Sequence, residues 1–352
     1  MNFNYLILSY FDKNKRDLPW RDTKDPFRIW LSEIILQQTR VDQGMKFYNN
    51  FINEFETIFD LANADEQKVL KLWQGLGYYS RARNLHFTAQ HIVNDLEGVF
   101  PNNFQDLKKL KGVGDYTAAA IASIVNHEAV PAIDGNMFRV FARYFNIKDD
   151  ISLPKTKKIF WELGLELIDK NRPGDFNQAI MEFGALQCVP KSPNCSTCVF
   201  NESCAALQKK KVDQLPIKSK KLKVRNRYFN YIVASDENEN TIIQKRTSKG
   251  IWHNLYEFPL LETEKEENFD FVSEQIQNEY FKENNISSIL ETTDKSIVHK
   301  LSHQHLHIKF WKVSLNGTIK EGITYEKLKT FPFPIVIHNY IEREQNNKAL
   351  LK

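Results

Sequence analysis

The residues able to do chemistry fall into two groups, cysteines crowded into one stretch and carboxyls in unusual surroundings. Cys188, Cys195, Cys198 and Cys204 are the four cysteines of the 352-residue chain, spaced C-x6-C-x2-C-x5-C. Four thiolates in so small a loop suit a tetrahedral zinc ion or an iron-sulfur cluster, and residue type alone leaves both open. In a reducing compartment such clustering argues for a metal centre over disulfides. Glu33 lies among Trp30, Leu31, Ile34, Ile35 and Leu36, where burial would raise its pKa and keep a proton available for general acid catalysis. Asp134 stands immediately before a helical stretch. As an N-cap it would present an ionised carboxylate at the helix mouth. An acid that keeps its proton, working with one that has lost it, is a catalytic pairing.

Other elements must hold these groups, and the stretch best suited runs from Leu107 to Asn136, LKKLKGVGDYTAAAIASIVNHEAVPAIDGN. Gly112-Val113-Gly114 predicts a tight hairpin with positive φ at both glycines, joining helices over Leu107 to Leu110 and Tyr116 to Val125. Consecutive N–H groups at the second helix's start favour an anion such as phosphate. Around the hairpin, apolar residues recur at helical spacing over Phe27 to Phe55, Ala64 to Trp73, Arg81 to Leu96, Asp134 to Phe145, Lys155 to Asp169 and Phe176 to Leu186. Residues 1–208 therefore read as an all-α domain ending in the cysteine loop, 188–204.

Past the cysteines, Lys209-Lys210-Lys211 and Lys218 to Arg227 read as an exposed basic linker over 209–226. The period then changes from helical to alternating. Strands are expected over Tyr228 to Ala234, Thr241 to Lys245, Lys295 to Leu301 and His305 to Val313, with a turn at Asp236 to Asn240 and an acidic loop at Glu262 to Glu267. Helices over Phe269 to Phe281 and Pro334 to Asn346 complete an α+β domain, 227–352. His299, His305 and His307 alternate on a strand without a carboxylate partner and read as surface residues. The formal charge of +4 permits an anionic partner without demanding one. No apolar stretch approaches membrane-spanning length, and the apolar run Tyr5 to Phe11 lacks the flanks of a signal peptide, so an intracellular protein with no membrane partner is expected.

The cysteine spacing, the glycine hairpin and Asp134 together resemble the iron-sulfur branch of the helix-hairpin-helix DNA glycosylases. Leu18-Pro19-Trp20-Arg21, Trp30-Leu31-Ser32-Glu33, Leu36-Gln37-Gln38-Thr39, Gly75-Leu76-Gly77-Tyr78-Tyr79-Ser80-Arg81 and Asp134-Gly135-Asn136 resemble more narrowly the motifs of its adenine-specific members. The resemblance implies a 4Fe–4S cluster on Cys188, Cys195, Cys198 and Cys204. Breaking an N-glycosidic bond leaves positive charge on the sugar and needs a base that departs more easily when protonated. By resemblance, Glu33 protonates N7 of adenine and Asp134 stabilises the sugar cation or adds to it transiently, while Tyr116 and Asn136 hold Asp134 and the substrate in place. In the superfamily's glycosylase/lyases the position just after the hairpin is a lysine that forms a Schiff base. Here it is Tyr116, which implies removal of the base through water, with no strand cleavage.

The same resemblance assigns DNA contacts. Gln38, Leu76 and Tyr78 match residues that intercalate and fill the gap left by a flipped nucleotide. Gly112, Gly114, Lys111, Arg81, Arg83 and Lys191 are candidates for sequence-independent phosphate contacts. The second domain resembles the Nudix-like C-terminal domain of these proteins through Gly250-Ile251-Trp252 and Leu255-Tyr256-Glu257-Phe258-Pro259, without a Nudix catalytic box, so recognition is implied in place of pyrophosphate hydrolysis. Leu301-Ser302-His303 stands where the family has a Phe-Ser-His loop that reads 8-oxoguanine; Ser302 and His303 keep their hydrogen-bonding groups, and Leu301 lacks the aromatic face. The whole implies a monomeric, monofunctional DNA glycosylase that initiates base excision repair on duplex DNA carrying A·8-oxoguanine or A·G mispairs, cytoplasmic and nucleoid-associated in a prokaryotic source. A glycosylase of another mismatch preference is one alternative. A cluster-bearing DNA-binding protein without catalysis is the other, and the presence of both Glu33 and Asp134 argues against it.

Overall fold

The computed structural model describes residues 3–219, 224–281, 286–293 and 295–350, the side chains of 347–350 excepted. The chain divides into two compact units, Met1–Asn63 with Arg83–Lys220, and Ala64–Ala82 with Lys221–Lys352. Helices run α1 Phe3–Asn14, α2 Pro26–Leu36, α3 Val41–Glu54, α4 Ile58–Asn63, α5 Glu66–Leu72, α6 Ser80–Asp95, α7 Phe104–Leu107, α8 Asp115–Val125, α9 Gly135–Tyr144, α10 Pro154–Leu167, α11 Pro173–Leu186 and α12 Ala205–Gln208.

In the helical unit the starts of the site-bearing helices are written locally. Asp25 caps α2, accepting from the Phe27 N–H, with Pro26 in the first turn where its missing N–H costs nothing. The first hairpin helix begins earlier than its apolar spacing suggests: the Asn103 side chain accepts from the Asp106 N–H and starts α7 at Phe104, so 108–110 form a turn. Only one hairpin glycine needs the left-handed region, Gly112 at φ 82°; Gly114 caps α8 in an extended conformation at φ −92°. The core of α8 is a run of small residues, Ala118, Ala119, Ala120 and Ala122, all buried. Helix α11 approaches the end of α8 closely, since a Cβ on Gly174 would lie 2.8 Å from the Ile124 Cα. The apolar run near the N-terminus is α1, whose Ile7 and Phe11 enter the core shared with α9 and α11.

The expected linker is partly packed structure. Leu215 is buried in the helical core, and the Arg143 guanidinium donates to the Val212 and Leu215 carbonyls. The Ile151 N–H donates to the Ile217 carbonyl. Residues 220–223 of that linker lie outside the described residues.

The second unit is built on a mixed sheet. Strands are β1 Arg225–Ser235, β2 Asn240–Thr241, β3 Gln244–Lys245, β4 Tyr256–Glu257, β5 Leu260–Thr263, β6 Ile286–Glu291, β7 Ile297–Lys300, β8 Gln304–Leu315 and β9 Ile323–Thr324. The order is β5-β1-β8-β6, with β7 also on β8; β1 and β8 are parallel and the other pairs antiparallel. Alternate residues of β1 and β8 face opposite layers. Ile232, Trp311 and Val313 pack with Val272 of α13, Phe269–Gln275, while Phe310 stacks on Tyr340 of α14, Ile335–Leu350, with ring centroids 3.9 Å apart. The single expected strand Thr241 to Lys245 is two short ones, β2 and β3, with different partners. Part of the expected acidic loop is strand, because Glu262 pairs with Phe229 and its carboxylate holds Arg227.

Residues 64–82 were expected in the first domain, and their packing groups them with the second unit. Gln74 accepts from the Phe333 N–H, Lys71 donates to the Phe331 carbonyl, Tyr79 to the Phe333 carbonyl, and Asn254 to Glu66.

Candidate active site

Within the helical unit a cavity of ≈ 190 Å³ opens between α2, α8, α9 and α11, and Glu33, Tyr116, Asp134 and Asn136 all line it. Glu33 is 8% exposed. Burial, opposed by the Tyr116 hydroxyl and reinforced by the charge of Asp134, pushes its carboxyl from an ordinary 4.5 to about 7. Asp134 caps α9: its Oδ1 accepts from the Met137 N–H at 2.7 Å and its Oδ2 from Asn136 Nδ2 at 2.6 Å. Burial moves its pKa upward too, against those two bonds and the nearby Arg139, each of which favours the anion. Glu33 has no comparable set of donors. The hydrogen bonding therefore favours the anionic form at Asp134 more than at Glu33. Tyr116 donates to Met181 Sδ at 2.9 Å, and its phenol is held well above its ordinary pKa by burial and by both carboxyls.

One charged group in this wall was not singled out by the sequence. Glu182 of α11 is buried and accepts from the Arg16 N–H, Arg16 Nε and Nη2, and Arg21 Nη2, each at 2.8 Å. Burial raises its pKa, and the two guanidiniums outweigh that, holding it at about 2. All three residues line the same cavity. Their partnership joins positions more than 160 apart in sequence, and only the Arg21 motif hinted at it.

The four cysteines line a second, small cavity of ≈ 30 Å³ with Arg143 and Phe200. None is in a disulfide. Arg143 Nη1 donates to Cys188 Sγ and the Phe200 N–H to Cys198 Sγ, both at 3.4 Å, as donors to ligated sulfur would. The sulfurs ring a void. This donor set is consistent with an iron-sulfur cluster. A hydrogen-bonded path joins it to the first cavity: Arg139 Nε donates to the Cys188 carbonyl at 2.7 Å and Nη2 to Asn136 Oδ1 at 2.8 Å, and Asn136 holds Asp134. Gly184 makes room for it, since a Cβ there would lie 2.6 Å from the Asn136 Cβ.

The remaining candidates are dispersed. Gln38 is exposed at φ 57°, a left-handed conformation that non-glycine residues adopt at a cost. Lys111, Gly112 and Gly114 are exposed at the hairpin, and Lys191 is exposed in the cysteine loop. In the second unit Tyr78, at φ 47°, is 48% exposed, and its hydroxyl lies 2.5 Å from Ser302 Oγ. Ser302 and His303 are exposed in the tight turn between β7 and β8, closed by the Leu301 N–H on the Gln304 carbonyl. Two of the candidates are buried. Arg81 is 8% exposed and its Nη2 donates to the Leu76 and Gly77 carbonyls. Its guanidinium also lies over the Trp73 ring, so it fixes the turn carrying Tyr78. Leu76, at 7% exposed, is part of that packing in this conformation.

A hairpin-bearing helical unit with paired carboxyls and a four-cysteine loop, together with a mixed-sheet unit, defines a base excision repair architecture, and comparison with known proteins agrees. Residues 31–165 match the family model described as HhH-GPD superfamily base excision DNA repair protein, and residues 230–343 match that of the NUDIX domain. The adenine DNA glycosylase of Buchnera aphidicola subsp. Schizaphis graminum is 36% identical over 340 residues, covering 93% of this chain and 94% of that one. The human adenine DNA glycosylase is 42% identical over 222 residues, 60% of this chain and 41% of its own. The solved structure of a thermostable thymine-DNA glycosylase is similar with a TM-score of 0.54 and 31% identity, over 59% of this chain and 95% of that one. The chain belongs to the adenine DNA glycosylase family.

Proposed function

We propose that this protein is a monofunctional glycosylase that flips adenine out of A·8-oxoguanine and A·G mispairs and hydrolyses its N-glycosidic bond. The observation that carries the reading is Glu33, protonated up to about 7 in a cavity it shares with the capped carboxylate of Asp134. A base stacked in duplex DNA reaches neither group, so it must enter the cavity as a flipped nucleotide. Glu33 gives its proton to the departing base, and Asp134 faces the cationic sugar that remains. The ion-paired Glu182, Arg16 and Arg21 form part of the wall that would receive the base.

The lining of the cavity supports water as the nucleophile. Among the described residues no lysine lines it, and the phenol of Tyr116 cannot form an imine. The family's structural relatives act on different bases, so the choice of adenine rests on side chains and not on the fold. Recognition of the opposite base falls to the Ser302–His303 turn and to Tyr78. The four cysteines would hold a 4Fe–4S cluster, which, when bound, ties the loop from Cys188 to Cys204 into one rigid body.

The test is excision on A·8-oxoguanine duplexes compared with A·G, C·8-oxoguanine and thymine-glycol duplexes. Adenine release is expected from the first two alone. Glu33→Gln is expected to lose about 10²- to 10⁴-fold in single-turnover rate, and wild-type rates in that variant would remove Glu33 as the acid. Borohydride should trap no enzyme–DNA adduct; trapping at the efficiency of a lyase would sink the monofunctional assignment.

A further inference from the structure

The stretch before the hairpin carries three lysines, and their surroundings differ. Lys108 is paired with Asp115 at 2.6 Å and Lys109 with Asp106 at 2.7 Å. Both charges are neutralised locally. Lys111 has no carboxylate partner among the described residues, and its ammonium sits 4.1 Å from the centroid of the Phe87 ring. That ring is 50% exposed, so its face is open to the ammonium. The backbone beneath the pair is fixed as well. The Thr88 hydroxyl donates to the Lys111 carbonyl at 2.8 Å. Gly112, at φ 82°, lies so close to Asn84 that an added Cβ would come within 2.8 Å of the Asn84 Cβ. Asn84, Phe87 and Thr88 are spaced three and four apart on one face of α6, so that face both shapes the hairpin and holds its uncompensated cation.

We propose that Phe87 is a positioning residue for Lys111, and that the pair supplies one backbone-phosphate contact of the DNA-bound protein at the hairpin. A cation over an aromatic face keeps its outer side free for an anion and loses less side-chain freedom on binding than a solvated lysine does. The proposal rests on the reading of this chain as a DNA-binding glycosylase.

The test uses the full-length protein and fluorescence anisotropy on a labelled undamaged duplex across a salt series. Wild type should bind with an affinity that falls steeply with salt. In Lys111→Met the slope of log affinity against log salt should flatten by about 0.9, the loss of one phosphate contact. Phe87→Leu should weaken binding about two- to fivefold at low salt, and Phe87→Trp, which restores an aromatic face, should bind as wild type does. In the Lys111→Met background, Phe87→Leu should have no further effect. A full slope in Lys111→Met overturns the contact. An equal loss from Phe87→Leu with and without Lys111 overturns the positioning role. A wild type with no salt-dependent duplex binding overturns the glycosylase reading, and this proposal with it.

Discussion

Glu33 keeps its proton up to about 7 against an ordinary 4.5, so between those pH values the unfolded chain releases a proton that the folded protein retains. Stability therefore falls as pH rises through that window and levels off above it. At pH 8 the penalty is on the order of 3 kcal/mol for a group this buried. Glu33→Gln removes it, so the variant is expected to be slow in excision and more stable than wild type at pH 8, with the difference fading toward pH 4.5. Denaturant titrations at several pH values measure this. A variant no more stable than wild type at pH 8 would mean that Glu33 is not the strained acid. Wild-type single-turnover excision should likewise decline as pH rises through about 7. Glu182 has the opposite sign. Held at about 2 by Arg16 and Arg21, it stabilises the fold above 4.5 and loses that contribution only as pH falls toward 2. The sequence exposed Glu33 through its apolar neighbours in one helix. Glu182 stayed hidden because its partners come from the far end of the unit.

Helix α9 connects the carboxylate to the cysteine loop. Asp134 caps it, Asn136 in its first turn donates to Asp134, and Arg139 one turn on reaches both Asn136 and the Cys188 carbonyl. Asn136→Ala removes the amide that holds Asp134 Oδ2. Its single-turnover excision at saturating DNA is expected to fall on the order of ten- to a hundredfold, with affinity for undamaged duplex unchanged, because Asn136 lines the cavity and not the hairpin. Equal losses of rate and of affinity would show that the substitution had disturbed the fold instead. At this scale the sequence was informative where signals are local: the cap at Asp134, the glycine hairpin and the helical spacings are all found near their expected places. It was less so where another element decides. Asn103 sets the start of α7, and Gly174 and Gly184 of α11 reveal their purpose only against Ile124 of α8 and Asn136 of α9.

The two units divide the chain in a way that sequence order conceals. Segment 64–82 carries helix α5, like its neighbours in sequence, yet its hydrogen bonds run to Asn254, Phe331 and Phe333. A chain ending at residue 219 is therefore expected to expose that segment, and limited proteolysis should cut it near Tyr78 faster than the full-length protein, while the α8–α11 core resists. Equal protection in both forms would mean that the helical unit alone retains it. Periodicity assigns helix or strand, and it cannot say which core a helix joins; that depends on pairings across some 250 positions. The cavity wall has one further property. Its charged residues are Arg16, Arg21, Glu33, Asp134 and Glu182, and with Glu33 protonated two positive charges meet two negative ones. Proton transfer from Glu33 to the base moves charge inside a wall that begins neutral, and the new cation appears beside the new anion. No ion from solution has to enter or leave for the bond to break, so salt should govern how the protein finds DNA and leave the chemical step on bound DNA untouched.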